Sequence, residues 1–256
     1  MRKKIYQSGF TLVEMSIVLV IVGLILGAVS IGKDLQRDAE YNKIKQKFID
    51  QWVQAYGTYY QRSGVVLGDS QTEPRFMING INYTPTVSAN VPLSGGDMTS
   101  ISGPSGICQG FSAPGMIKTA SNVNLHEYMD KLGIRMPPGR AEGQEDRYVY
   151  LDSNGNPQEV QICFQWNSPN TPSGSGNVMV ITGITPDLAR TLDQMIDGKP
   201  DAREGLFRHN SVTNSTSGSA GVEWGTDNTY AYATTDSSNR DESQITTVVA
   251  HYKMNQ

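Results

Sequence analysis

The run from Ser8 to Gly32, SGFTLVEMSIVLVIVGLILGAVSIG, constrains this chain more than any other stretch. From Met15 to Gly32 about eighteen residues carry no charge, close to the length an α-helix needs to cross the hydrocarbon layer of a bilayer. Beyond Gly32 the sequence turns polar, rich in Ser, Thr, Asn and Gly, with no second long apolar run. It therefore predicts one membrane segment at the N-terminus and a water-soluble remainder. At the mouth of the run sits Glu14, where an isolated carboxylate in lipid costs about 2 to 3 kcal/mol or more. An acid kept there needs a partner.

Arg2, Lys3 and Lys4 precede the run, outlining a secretory signal peptide, and Ala28-Val29-Ser30 offers a small-x-small cleavage site that would leave Ile31 as the new terminus. Two observations weigh against that interpretation. Glu14 would only weaken insertion of a signal peptide. The chain also keeps helical spacing beyond the apolar run: Leu35, Tyr41, Ile44, Phe48, Trp52, Tyr56 and Tyr59 recur at steps that hold one face, with neither Gly nor Pro between Lys33 and Gly57. The membrane segment and the amphipathic segment thus read as one helix. At about 1.5 Å per residue, Phe10 to Tyr60 would span roughly 75 Å, more than a globular domain needs. The aromatics Tyr41, Phe48, Trp52, Tyr56, Tyr59 and Tyr60 suit core packing against a sheet better than an electron-conducting role.

The run Gly9-Phe10-Thr11-Leu12-Val13-Glu14 behind a short basic leader resembles the prepilin signature shared by type IV pilins and the pseudopilins of type II secretion. The resemblance implies cleavage after Gly9 by a membrane prepilin peptidase, N-methylation of the new terminal Phe10, and an assembly role for Glu14. Electrostatics gives that role a physical basis: cleavage creates an ammonium group at Phe10, which in a filament would neutralise the Glu14 carboxylate of a neighbouring subunit within an apolar core. A subunit alone in the bilayer is expected to leave Glu14 unsatisfied or poorly paired. The helix macrodipole also favours an acid in the first turn, by only about 0.3 to 1 kcal/mol. Gly23 and Gly27 form a small-xxx-small pair, followed by Gly32, open to two readings: close helix packing or local softening of the helix. The helix-breaking proline of many major pilins is missing from this region.

Beyond Gly57, short segments alternate with turn residues. A helix is expected over Asn124–Leu132, with Asn124 as N-cap and Gly133 as terminator. Arg147–Leu151 and Glu159–Trp166 flank DSNGNP and read as a hairpin with Val160, Ile162, Phe164 and Trp166 on one face. Val178–Ile184 reads as a more buried strand, Pro186–Asp197 as a helix capped by Thr185 and ended by Gly198, and Gln244–Tyr252 as the last strand. Asn210–Arg240 reads as long surface loops or irregular edge strands. The fold class is α+β: a long N-terminal helix, half membrane-spanning and half amphipathic, packed on an antiparallel sheet, type IV pilin-like, with an enlarged loop-rich C-terminal region. The expected organisation is a leader over 1–9 that is removed, a hydrophobic helix over 10–32, its amphipathic continuation over 33–62 and a globular domain over 63–256.

Cys108 and Cys163 both fall in the part that would be exported, and an even count in an oxidising compartment suggests one disulfide. Cys163 points away from the apolar face of its strand, so Cys108 would have to reach it from a loop over the opposite side; the alternative is two separate buried thiols. Asp152–Glu159 and the trio Asp193, Asp197 and Asp201 are weak cation candidates. The first lacks an EF-hand glycine position, and the second reads as an ordinary helix terminus on the surface. His126, His209 and His251 lack metal-ligand spacing, and nucleophile elbows and phosphate-binding loops are missing. No metal, cofactor or catalytic residue is expected.

The formal net charge is −4, and without the three leader cations it would be −4 minus 3, or −7, which gives no basic footprint for nucleic acid. The expected function is that of a structural filament subunit. The alternative is a low-abundance minor pilin or type II secretion pseudopilin whose C-terminal region binds a surface, DNA or a secreted substrate. The implied partners are other copies or other pilins, the prepilin peptidase and an inner-membrane assembly platform. The basic leader places the N-terminus in the cytoplasm and the globular part outside, first at the inner membrane and then in an extracellular pilus or a periplasmic pseudopilus.

Overall fold

The computed structural model describes residues 9–83, 103–109, 116, 123–153, 155–210, 223–224 and 247–254. The chain divides into two compact units, Met1–Asn42 and Lys43–Gln256. The first is helix: α1 (Leu12–Ile44) passes unbroken through Gly23, Gly27 and Gly32. A Cβ added at any of these three glycines would meet nothing within 4 Å. Their openness is a property of the helix surface rather than of any packing inside the chain.

In the second unit a five-residue π turn (Lys45–Ile49) leads into α2 (Asp50–Ser63), which ends at the left-handed Gly64. The helix was expected to be uniform; the π turn is the difference. The extra residue turns both Phe48 and Ile49 into the core, where a plain α-helix would send neighbours to diverging faces. Leu35, expected on the buried stripe, is 65% exposed. Helix passes through Gly57, because Tyr56 and Tyr59 on either side are buried and hold that turn in place.

The sheet runs β2-β1-β4-β5-β7-β6, with β3 beside the other end of β4. Its strands are β1 (Ile107–Cys108), β2 (Val123–Asn124), β3 (Arg147–Leu151), β4 (Pro157–Asn167), β5 (Gly176–Ile184), β6 (Phe207–His209) and β7 (Val248–Lys253). All pairings are antiparallel except β1 with β2, which are parallel. The expected hairpin is present: Tyr148 opposes Val160 and Leu151 opposes Pro157. β5 breaks register with β7 between Ile181 and Ile184. Gly183 sits in that break at φ 77°, where a Cβ would run into the Glu159 carbonyl oxygen, so the bulge requires glycine.

α2 and the π turn lie on this sheet. Tyr56 stacks on Phe164 at 5.4 Å, Trp52 meets the same ring at 6.2 Å, and Phe48 meets Tyr148 at 5.4 Å. Trp52 Nε1 donates to the Glu145 carbonyl at 3.2 Å, satisfying its one polar atom. α3 (Leu125–Lys131) falls within the expected helix, one residue shorter at each end, and the side chain of Asn124 lies outside the described residues. α4 (Pro186–Asp197) matches its expected bounds: Thr185 Oγ1 accepts from Leu188 N at 3.3 Å, and the chain leaves through left-handed Gly198. The last strand begins at Val248, and Gln244–Thr246 lie outside the described residues, as does most of the expected loop region after Asn210.

Candidate functional site

From Leu12 to Leu35, α1 presents its large apolar side chains to the surroundings on every face; only its last turns, at Tyr41 and Ile44, are buried. Leu19 is 72% exposed, Leu24 70% and Ile31 64%. Its most apolar 18-residue window has no buried share within the chain, and the continuous helix Leu12–Ser63 is long and apolar enough to cross a membrane. A helix that is apolar all round must be covered by lipid or by other helices.

Glu14 occupies the first turn of that helix, and Gly9 and Phe10 lie just before it, both exposed and outside regular structure. The Glu14 carboxylate is not unsatisfied. Its Oε2 accepts from the Thr11 backbone N–H at 2.8 Å and from the Thr11 hydroxyl at 2.8 Å, and the Glu14 N–H donates to Thr11 Oγ1 at 3.3 Å. This reciprocal arrangement is a capping box, written in the sequence as Thr-x-x-Glu immediately before an apolar run. It corrects the expectation that a lone subunit leaves the acid without a good partner: an N-terminal threonine at this spacing supplies donors from within the same turn. Both bonds fall on Oε2, and among the described residues Oε1 takes no donor. Thr11 was not singled out from the sequence, although the motif was legible there.

Cys108 and Cys163 form a disulfide, with Cα atoms 4.8 Å apart. The route differs from the expected one. Cys108 does not come over the far side from a loop; it lies on β1, which joins the same sheet beside β4 with Ile107 opposite Phe164. The bond therefore links adjacent strands. It sits in a small second core with Val178, Val180 and Val249, so β4 is buried on both faces. That two-sided burial is why a one-face reading of β4 misplaced Cys108.

The cation candidates are committed elsewhere. Asp152 accepts from Asn156 N and Gln158 Nε2, both at 2.9 Å, closing the hairpin turn, whose Asn154 lies outside the described residues. Glu159 is held by Arg140 and Arg147. Asp193 and Asp201 are not at a surface helix end, as expected, but buried, at 0% and 2% exposure. α4 turns the side of Asp193 inward beside Leu192, and Trp224, far along the chain, covers it. Among the described residues no group of three or more His, Cys, Asp or Glu side chains is placed to hold a metal ion. His126 instead sits between two carboxylates, Nδ1 2.9 Å from Asp130 and Nε2 3.2 Å from Glu145.

One family matches the chain, described as the prokaryotic N-terminal methylation motif, over residues 4–30. No curated protein and no solved structure matches it.

Proposed function

We propose that this chain, which carries the type IV pilin and pseudopilin N-terminal signature, is a structural filament subunit. The precursor is anchored in the inner membrane by α1, with its leader in the cytoplasm and residues 63–256 outside. A prepilin peptidase cuts after Gly9 and the new terminal Phe10 is N-methylated. Assembly then moves α1 out of lipid and into a bundle of like helices, where apolar side chains exchange one dry environment for another. The polar end of the helix decides the register, because the Phe10 ammonium and the Glu14 carboxylate each lose solvent and each need the other.

The observation that carries this reading is an apolar helical window with no buried share, entered past a carboxylate whose Oε2 takes both Thr11 donors. The motif and the apolar helix support a membrane-anchored precursor, and the role they suggest is structural rather than catalytic. The test is Glu14→Ala in the producing cell. Gly9 cleavage and membrane insertion should persist while filaments in the sheared fraction are lost. Normal filaments from that variant would refute the account. Counting subunits per filament separates a major subunit, present along the fibre, from a minor pilin or pseudopilin present in few copies.

A further inference from the structure

Asp193 and Asp197 stand one turn apart on α4, where two negative charges repel each other. Asp193 is fully buried. Its Oδ2 accepts from Trp224 Nε1 at 2.8 Å, and its Oδ1 has no hydrogen-bond partner among the described residues. Asp197 is committed as an acceptor: its Oδ2 takes the N–H groups of Leu206 and Phe207, each at 2.9 Å, which fastens the start of β6 to the end of α4. Trp224 completes the cover, its ring 5.1 Å from Phe207 and 5.8 Å edge-on from His209.

Among the described residues, an ionised Asp193 in this corner would have the Trp224 indole N–H as its close donor, the Asp201 N–H as a weaker one, full burial, and a second carboxylate one turn away. Such a charge can be relieved by a proton, a cation or opening to solvent. A cation finds poor support, since Asp197 is taken by two backbone donors and Asp201 by Lys199 at 3.3 Å and by Arg203 N at 3.0 Å. We infer that Asp193 holds a proton while this corner is closed, and that its ionisation loosens Trp224 and β6 from α4, so that attachment of the C-terminal region responds to ambient pH.

Among the described residues, the other ionisable groups around the corner are Asp197 on the same helix, Asp201 with Lys199 and Glu204 in the segment after it, Arg208 and His209 on β6, Tyr252 packed on Phe207, and Glu223 beside Trp224. Burial raises the Asp193 carboxyl to about 7 from 3.8; the Trp224 N–H opposes the rise and Asp197 adds to it. A carboxyl raised on folding penalises the closed state progressively as pH climbs from its ordinary value to the raised one. Acid therefore closes the corner and alkali opens it.

The test follows tryptophan emission of the full chain in detergent micelles from about pH 5 to about pH 9, with Trp224→Phe identifying the contribution of Trp224. The wild type should shift reversibly to longer wavelength as pH rises, with a midpoint between the ordinary value of 3.8 and the raised value of about 7. Asp193→Asn, which keeps the shape and cannot ionise, should abolish the shift while the far-ultraviolet circular dichroism stays that of the wild type. Should that variant fail to fold, Asp197→Asn serves instead, and removing the neighbouring charge should move the midpoint to lower pH. A flat wild-type profile, or a shift that survives in Asp193→Asn and so belongs to His209, would overturn the inference. Recovery of the acid spectrum at alkaline pH on adding calcium chloride would also overturn it, in favour of a cation.

Discussion

The Thr11 hydroxyl and backbone N–H both donate to Glu14 Oε2 at 2.8 Å, so the acid at the entrance of the apolar helix begins with a partner inside its own chain. In the filament proposed above, a neighbour's ammonium would add a cation to a carboxylate that neutral donors already hold in place on one oxygen. The preference for that ammonium would rest on the difference between a neutral and a charge-assisted hydrogen bond in a dry setting.

Thr11→Val separates the two contributions. It removes the hydroxyl while leaving the backbone donor and the acid, and loss of an N-cap costs about 1 kcal/mol. Filaments should still form, at reduced yield, whereas Glu14→Ala should form none. Sheared-fraction yields of the two variants side by side provide the measurement. Equal loss in both would mean that Glu14 acts through its bond to Thr11 rather than through a neighbour.

The Cys108–Cys163 bond closes a loop across 55 positions. In the chain-entropy picture such a closure contributes about 4 kcal/mol. Urea unfolding of the full chain in detergent should show Cys108→Ser less stable by roughly 3 to 4 kcal/mol, with reductant bringing the wild type to the same midpoint. An unchanged midpoint would contradict the structural role assigned to the bridge.

Phe164 carries the contact between helix and sheet, since Tyr56 and Trp52 both rest on its ring. Phe164→Ala should cost about 3 to 5 kcal/mol in the same urea experiment. Val149→Thr, on the exposed side of the edge strand β3, should shift the midpoint little.

His126 gives stability a pH dependence of definite sign. Burial alone would push its imidazole down, but the hydrogen bond to Asp130 and the charge of Glu145 outweigh it and the net shift is upward. Both ring nitrogens face carboxylates, so the doubly protonated ring satisfies both. A histidine raised on folding stabilises fully below its unfolded value of about 6.5, and that contribution is lost as pH rises through the folded value. The gap in melting temperature between wild type and His126→Gln should therefore be widest below the unfolded value and narrow as pH rises through the raised folded value. A gap that does not narrow would contradict the clamp.

Much of this architecture is written locally. α4 was legible to the residue because Thr185, Pro186 and Gly198 mark its ends chemically. β3 to β5 were legible because runs such as Val160, Ile162 and Phe164 are long enough to show a period of two. β1 and β6, two and three residues long, carry no period at all, and they exist because longer strands offer them an edge. The burial of Asp193 depends on Trp224, 31 positions away, a relation that no local pattern records. At the candidate site Gly9, Phe10 and Glu14 stood out as a motif, while Thr11 was overlooked although Thr-x-x-Glu is a local signal. The side on which Cys108 meets Cys163 depended on β4 being covered on both faces.

The central claim is that a terminal ammonium is made at Phe10 for Glu14 to meet. Mass spectrometry of the N-terminal peptide from protein purified from its own cells tests it most directly. The account predicts a peptide that begins at Phe10 and carries one methyl group on its α-nitrogen. A native terminus at Ile31, or an intact Met1 leader in assembled material, would contradict it.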